Sequence, residues 1–504
     1  MSLNNEFSRR RLFQSSAVLA ATGATSKSLF ARDRRPKVTR LALQTLSRSL
    51  EGRLILPGEA GYTLAAFPNN ARWADEHPLA VAMCKSPEDV QKCLRWVQEE
   101  GQTFAIRSGG HNYAGFSSTS GLLIHTRPLS QIRYDLDRGL AFVGAGANNQ
   151  DLANALRHTP FTIPTGRCPT VGISGLVLGG GWGFSATHSG LTCDSLLSSE
   201  IVLANQNIVT AKADGPHEDL LWALRGGGGG NFGVNTSFTF QLHENRDEVT
   251  VFDILWPAEK QVELMLRLQE IQLDQATLLS TRSKIMPAKI QAGYKRDELM
   301  VTVIGQYFGP KAKALEALGP ALSLVKPLQA DIRQLPYWQA RDFLLTNEPN
   351  GLYEVRSAYV ADRLREEALE TMLEWMMKWP GGSALPDSMG LLFAIGGKVK
   401  DLAPEATAYV HRKANFIFLI ENLWTPMDKP GTMQAHRAWT QSYFTAMKPF
   451  LLPQNYVNFP NRDTPDFAKV YYGNNLKRLS QIKSIYDPKN IFQFHHSVPL
   501  PKSV

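Results

Sequence analysis

The chain has 504 residues, 43% hydrophobic and 20% charged, with four cysteines and a formal net charge of +8. That length holds two or three domains with substantial cores, and no stretch approaches the roughly 20 apolar residues that cross a bilayer, which excludes stable membrane insertion. Nine Lys and Arg face only Glu6 and Asp33 within residues 1–40, so +7 of the charge sits there and about +1 is spread over the rest; the basic footprint of a nucleic-acid binder is missing.

Taken from the start, Ser8-Arg9-Arg10-Arg11-Leu12-Phe13-Gln14 is a twin-arginine pattern, and residues 15–24 are short, weakly apolar and built of small side chains. This reads as an export signal over residues 1–31, removed after Ala24 or Ala31, and places the protein in the periplasm or medium by way of the twin-arginine machinery. A basic, partly helical lead covers 32–73. Strands are expected at 80–83, 103–106, 122–125, 132–135 and 141–143. Helices are expected over 87–100, with Ser86 as N-cap and Pro87 in the first turn, and over 149–157. Strands at 196–204 and 234–242 complete this half.

Near Glu244 the composition changes. Glycine thins, and amphipathic stretches at 259–271 and 363–379 alternate with strand-like 299–306 and 416–421. This pattern predicts an α+β domain in which helices cover one face of an antiparallel sheet. The four cysteines show no zinc-ligand spacing, and no metal site is expected. Export permits a Cys84–Cys93 disulfide, but one of them ends a strand and the other lies two turns into a helix, which disfavours pairing. Cys193 is expected to pack as a small apolar residue.

Three glycine-dense loops carry the chemistry. The first, Arg107-Ser108-Gly109-Gly110-His111-Asn112-Tyr113, leaves the strand at 103–106 where backbone N–H groups can cradle an anion such as a pyrophosphate. In the second, Gly166-Arg167-Cys168-Pro169-Thr170-Val171-Gly172 runs into Gly175, Gly179, Gly180, Gly181, Trp182 and Gly183. So much glycine implies backbone packed against something flat. The third, 225–233, ends at Gly233 before a strand. A histidine and a cysteine inside such loops suggest a flavin held by two covalent bonds. Neither a Gly-x-Gly-x-x-Gly opening a helix nor a Gly-Lys-Ser/Thr is present, so a Rossmann or P-loop site is excluded.

These residues resemble the FAD-binding domain of the vanillyl-alcohol oxidase and p-cresol methylhydroxylase superfamily. Within it the chain is similar to the berberine-bridge-enzyme-like oxidases, which include bacterial oligosaccharide oxidases. The resemblance spans about residues 74–494 and rests on Arg-Ser-Gly-Gly-His111-Asn, on Gly-Arg-Cys168-Pro-Thr-Val-Gly, and on the C-terminal runs 471–479 and 486–492, with Tyr472 and Asn474 among them. It implies FAD bonded at its 8α carbon by His111 and at C6 by Cys168, with Asn112 and Tyr113 lining the flavin. It also implies a two-lobed FAD-binding domain at 74–245, an α+β substrate domain at 246–454, and a segment, 455–504, that returns to the first domain.

The segment 455–460 resembles the family's Tyr-x-Asn-aromatic motif, so Tyr456 is the implied catalytic base. Many relatives carry tyrosine where this chain has Phe459, which leaves the second position without a base. Because a phenol is a weak base at its ordinary pKa of about 10, it needs a nearby cation or donor, and Lys398 after Gly396-Gly397 is the expected one. Tyr337, Trp338, Tyr353, Tyr359 and Trp424 are candidate stacking walls. Val171, three residues after Cys168, accompanies oxygen access in relatives.

The expected function is an FAD-dependent oxidase of a carbohydrate or other secondary alcohol, with hydride passing to flavin N5 and O2 reduced to H2O2. A specialised-metabolite oxidase forming a ring or double bond, a dehydrogenase with another acceptor, and a flavin-fold binding protein without turnover stand as alternatives.

Overall fold

A helix over Arg40–Ser49, capped by the Thr39 hydroxyl accepting from the Ala42 N–H, precedes a set of short, largely apolar strands. The computed structural model describes residues 38–245, 248–287, 294–345, 351–382 and 389–502; the twin-arginine pattern lies outside them. β1 (Arg53–Ile55), β2 (Ala80–Met83), β3 (Phe104–Arg107) and β4 (Leu122–His125) form a sheet in the order β1-β2-β4-β3. β2 and β3 both run parallel to β4, while β1 is antiparallel to β2. The β2–β3 crossover is the helix Pro87–Glu99, capped by the Ser86 hydroxyl accepting from the Asp89 N–H. Cys84 and Cys93 are free thiols with sulfurs 3.9 Å apart.

β5 (Ile132–Asp135), β6 (Leu140–Gly144), the two-residue β7 (Phe161–Thr162), β8 (Leu196–Val202), β9 (Ile208–Lys212), β10 (Val234–Gln241) and the two-residue β11 (His243–Glu244) follow. Five of them make an antiparallel sheet, β5-β6-β10-β8-β9, and β7 pairs with β11. The expected positions at 80–83, 122–125 and 132–135 are those observed.

The second region is a seven-stranded antiparallel sheet of β12 (Glu248–Trp256), β13 (Leu279–Pro287), β14 (Leu299–Tyr307), β15 (Gln329–Pro336), β16 (Leu352–Val360), β17 (Met389–Ala394) and β18 (Phe416–Trp424), in the order β15-β12-β14-β13-β17-β18-β16. Side chains alternate between its faces. Phe252, Ile254, Val301, Val303, Leu392 and Phe418 pack under the helices Gln261–Asp274, Lys311–Leu324, Glu366–Met377 and Thr432–Met447. Val249, Val251, Phe393, Ile417 and Leu419 point the other way, into a core shared with Trp182 and Phe184. Helices on one face of an antiparallel sheet are what the composition change near Glu244 predicts. Val38–Val504 form one compact unit. Among the described residues no helix is long and apolar enough to cross a membrane.

The chain ends by returning to the glycine loops. Lys483 and Asp487, both fully buried, pair at 2.7 Å. The ammonium also donates to the carbonyls of Asn231 and Phe492, and the carboxylate accepts from the N–H groups of Ile491 and Phe492. Lys483→Met strands the carboxylate in the interior and is expected to lower stability by about 3–5 kcal/mol, read as a fall in urea midpoint that Lys483→Met/Asp487→Asn partly restores.

Candidate functional site

A cavity of about 280 Å³ lies where the three glycine loops, the C-terminal segment and β17 converge. Its wall includes Ser108, Gly109, Gly110, His111, Asn112 and Tyr113 of the first loop, Gly166, Cys168, Val171, Gly172, Gly175 and Trp182 of the second, and Gly228–Gly230 with Gly233 of the third. Tyr456 and Tyr472 also line it, as does Phe393 from the seven-stranded sheet.

The two loops with the histidine and the cysteine touch backbone to backbone. A methyl on Gly109 would sit 2.3 Å from the Gly172 nitrogen, and one on Gly172 would sit 2.4 Å from the Gly109 nitrogen. The Ser108 and Ser174 hydroxyls both donate to the Ala145 carbonyl, at 2.8 and 2.6 Å, clamping both loops to one point. Asn149 donates to the Cys168 carbonyl at 2.9 Å. The outcome is that a ring nitrogen of His111, Nε2, lies 2.9 Å from the Thr170 hydroxyl, two residues beyond Cys168.

The residues fit a flat cofactor. Around a Cβ built on Gly175 no atom lies within 4 Å, and on Gly229 and Gly230 the nearest atoms are 3.6 Å away, so side chains there would enter the cavity. Among the described lining residues Arg167 is the one Arg or Lys, which leaves a pyrophosphate to backbone N–H groups, as glycine loops provide.

Tyr456 is almost fully buried. Its oxygen accepts from the Gly181 and Trp182 N–H groups at 2.9 and 3.0 Å and faces the Asn458 side-chain amide at 3.2 Å. Burial pushes this phenol up to about 12, while those three donors pull it down. Gly179 makes room for the donor: a Cβ there would lie 2.0 Å from the Asn458 Oδ1. Phe459 lines the cavity with its ring edge-on to Tyr113 and Tyr456. Behind Tyr456 sit the buried Tyr359 and Tyr409, whose hydroxyls are 2.8 Å apart.

Several expected site residues stand elsewhere. Lys398 pairs with Asp401 at 3.0 Å on the surface, half-exposed and off the cavity wall; the tight turn at Gly397, with φ +62°, carries it away from the strand it follows. The donors it was expected to supply come from the Gly181 and Trp182 backbone and from the Asn458 amide. Arg107 turns back from the cavity. Its guanidinium donates to the carbonyls of Ala65, Ala66 and Ser117 and to the Ser118 hydroxyl, holding the far side of the first loop. Gly179, Gly180 and Gly183 lie behind the wall, where their missing side chains admit Asn458, Tyr409 and the Thr165 carbonyl. Asn474 is exposed, and its neighbour Asn475 is the buried one, donating to the Pro404 and Thr407 carbonyls. Tyr337, Trp338, Tyr353, Tyr359 and Trp424 are absent from the wall; Tyr353 packs against Tyr113 instead.

Sequence reasoning missed Phe116, Asn231, Asn235, Phe494 and His496, which also line the cavity. It also missed Asn70 and Trp73, which donate to the Tyr113 carbonyl from the N-terminal lead. The glycine run 225–233 was the available signal for Asn231.

Family models match in two places. The one described as an FAD binding domain covers residues 78–212, and the one described as berberine and berberine like covers 455–499. The chain is 32% identical over 464 residues to an uncharacterized FAD-linked oxidoreductase, YvdP of Bacillus subtilis (strain 168), covering 90% of this chain and 99% of that one. Among solved structures, a variant of Physcomitrella patens BBE-like 1 is 25% identical with a TM-score of 0.81, covering 92% of this chain and 100% of that chain. The xylooligosaccharide oxidase from Myceliophthora thermophila C1 in complex with xylobiose, 23% identical, shares the fold with a TM-score of 0.79, over 92% of this chain and 100% of that chain.

Gly172→Ala forces the two loops apart. The expected loss is about 1–3 kcal/mol of stability, with retained FAD falling while far-ultraviolet circular dichroism is kept; unchanged flavin content in that variant would contradict the close packing.

Proposed function

Because the chain belongs to the berberine-bridge-enzyme-like FAD-linked oxidoreductases, we propose that it is an alcohol oxidase whose FAD is bonded to both His111 and Cys168. The observation that carries the double attachment is the 2.9 Å approach of His111 to Thr170 in the cysteine's own loop. Bound FAD supplies the acceptor for a hydride, and O2 is its oxidant. In balance, the alcohol loses its carbinol hydrogen with the bonding pair and its hydroxyl proton. O2 takes up both electrons and both protons as H2O2.

The chain's own residues do three things. Tyr456 takes the hydroxyl proton on its phenolic oxygen, and the Gly181, Trp182 and Asn458 donors stabilise the phenolate that does so. Trp182, Phe393 and Phe459 form an apolar wall that keeps water from the reacting carbon. Val171 is short enough to leave O2 a way in beside Cys168. A carbohydrate is the favoured donor class, in keeping with export through the twin-arginine route, which carries folded, cofactor-loaded proteins.

The intact mass of denatured protein is expected to exceed that of the polypeptide by one FAD, to remain so in His111→Ala and in Cys168→Ala, and to lose the increment only in the double variant. A colourless denatured wild type would overturn the covalent reading.

Tyr456→Phe is expected to slow anaerobic bleaching of the flavin by substrate about 100-fold or more. A base acts deprotonated, so with the phenol held above its ordinary value the wild-type rate should climb with pH toward the alkaline side. The variant should lose that limb; a parallel profile in both would assign the base elsewhere. Photoreduced wild type should reoxidise in air within seconds, whereas slow reoxidation would indicate a dehydrogenase.

A further inference from the structure

The loop that carries His111 is held from outside the cavity by a short piece of the N-terminal lead. On one side of the histidine, the Asn69 N–H donates to the Gly110 carbonyl at 3.1 Å. On the other side, the Tyr113 carbonyl accepts from the Asn70 side-chain amide at 3.2 Å and from the Trp73 indole N–H at 3.0 Å. Asn70 is fully buried and caps the single turn Ala71–Trp73, its Oδ1 accepting from the Arg72 N–H, so both ends of its amide are engaged. Gly115 leaves the space that the Trp73 ring fills, since a Cβ there would overlap the ring. The guanidinium groups of Arg72 and Arg462 each lie 5.0 Å from the centre of that ring, within the range of cation–π attraction.

The same piece is fastened to β16, the edge strand of the seven-stranded sheet. The Ala71 N–H donates to the Gly351 carbonyl just before the strand, at 2.9 Å. The Asn70 amide also donates to the Tyr353 carbonyl at 2.9 Å, Arg72 pairs with Glu354 at 2.6 Å, and the Tyr353 hydroxyl donates to Asn69. The cysteine loop has other supports, the Asn149 amide on the Cys168 carbonyl and the Ser174 hydroxyl on the Ala145 carbonyl. The contact that the two loops share lies before His111, at Gly109. The bonds from residues 69–73 fall beyond it, at Gly110 and Tyr113.

We propose that residues 69–73 are a strap, anchored on β16, that positions His111 for its bond to FAD and leaves bond formation at Cys168 unaffected. The inference rests on the double attachment proposed above. Forming the histidyl bond joins an imidazole nitrogen to the flavin 8α carbon and breaks one N–H and one C–H bond. The two electrons left in the ring pass to O2, which takes up both protons and leaves as H2O2. Such a step depends on how the imidazole is held, because a misplacement of about 1 Å can cost about 100-fold in rate.

The test uses the full-length chain produced without flavin and then given FAD, with linked FAD followed over time by the intact mass of denatured protein. Asn70→Ala and Trp73→Phe, singly and together, are placed in Cys168→Ala, which can form only the histidyl bond, and in His111→Ala, which can form only the cysteinyl bond. Trp73→Phe keeps a ring against Gly115 while removing the donor, and it decides the case if the paired variant fails to fold. The strap variants are expected to slow attachment about tenfold or more in Cys168→Ala and to leave it within about twofold in His111→Ala. In a third background, His111→Ala/Cys168→Ala, FAD binds reversibly, and its Kd by fluorescence quenching should be the same with and without the strap donors.

Equal slowing of the two bonds, or a weaker Kd in the third background, would make the strap a support of the whole cavity and overturn the inference. Attachment rates untouched by the strap variants would overturn it too, and would leave double attachment standing. Linked FAD missing from Cys168→Ala with the strap intact would overturn attachment at His111 itself, and this inference with it.

Discussion

Two glycines facing each other across a backbone contact set the geometry on which the site depends. Gly109 and Gly172 approach so closely that a methyl on either would overlap the other's nitrogen, and glycine is costly in chain entropy, so such a contact survives only where something offsets it. The offset here is local hydrogen bonding: two serines, one from each loop, share the Ala145 carbonyl, and Asn149 holds the cysteine loop from its carbonyl side. His111 and Cys168 are 57 residues apart in sequence, yet the loops carrying them are packed together and clamped to one carbonyl.

The remaining wall comes from far along the chain and is tied in by buried polar links. Trp182 donates its indole N–H to the Ala394 carbonyl at 2.7 Å, joining the second loop to β17. The Tyr456 oxygen takes two N–H groups from the same loop, and the Lys483 ammonium fastens the third loop to Phe492. Each link satisfies a donor that would otherwise be buried unpaired, at a cost of about 1–3 kcal/mol. The glycine loops, the seven-stranded sheet and the C-terminal return therefore depend on one another.

What was legible in the sequence was local. Ser86-Pro87 marks a helix start through capping chemistry, and the glycine loops announce themselves because so much glycine needs a reason; both stand where expected. Direction was not legible. Arg107 and Lys398 sit beside glycines near the site, but which way each side chain leaves depends on tertiary partners: the Ala65 and Ala66 carbonyls for one, Asp401 for the other. β16 and β17 escaped notice because they are buried nearly throughout and so lack the alternation that marks a half-exposed strand. The aromatic walls failed for a related reason. Tyr359 and Trp424 lie on those interior strands or their partners, where large rings fill volume.

One sheet face changes character along its strands, from a buried stretch to a charged and partly open one. On β12, Val249, Val251, Asp253 and Leu255 project from the same side. The first two are buried against the flavin-binding region, while Asp253 and Leu255 are partly open. On β13 the same side passes from buried Ser280 to Arg282, Lys284 and Met286. The change from small or apolar to charged falls on the same rung in both strands, at the edge of the covering loops. A charge one rung earlier would be desolvated under those loops. One rung later it would stand a further two residues, about 7 Å, from Phe393. The position of Arg282 is thus the nearest to the cavity at which this face can carry a charge and keep it partly hydrated.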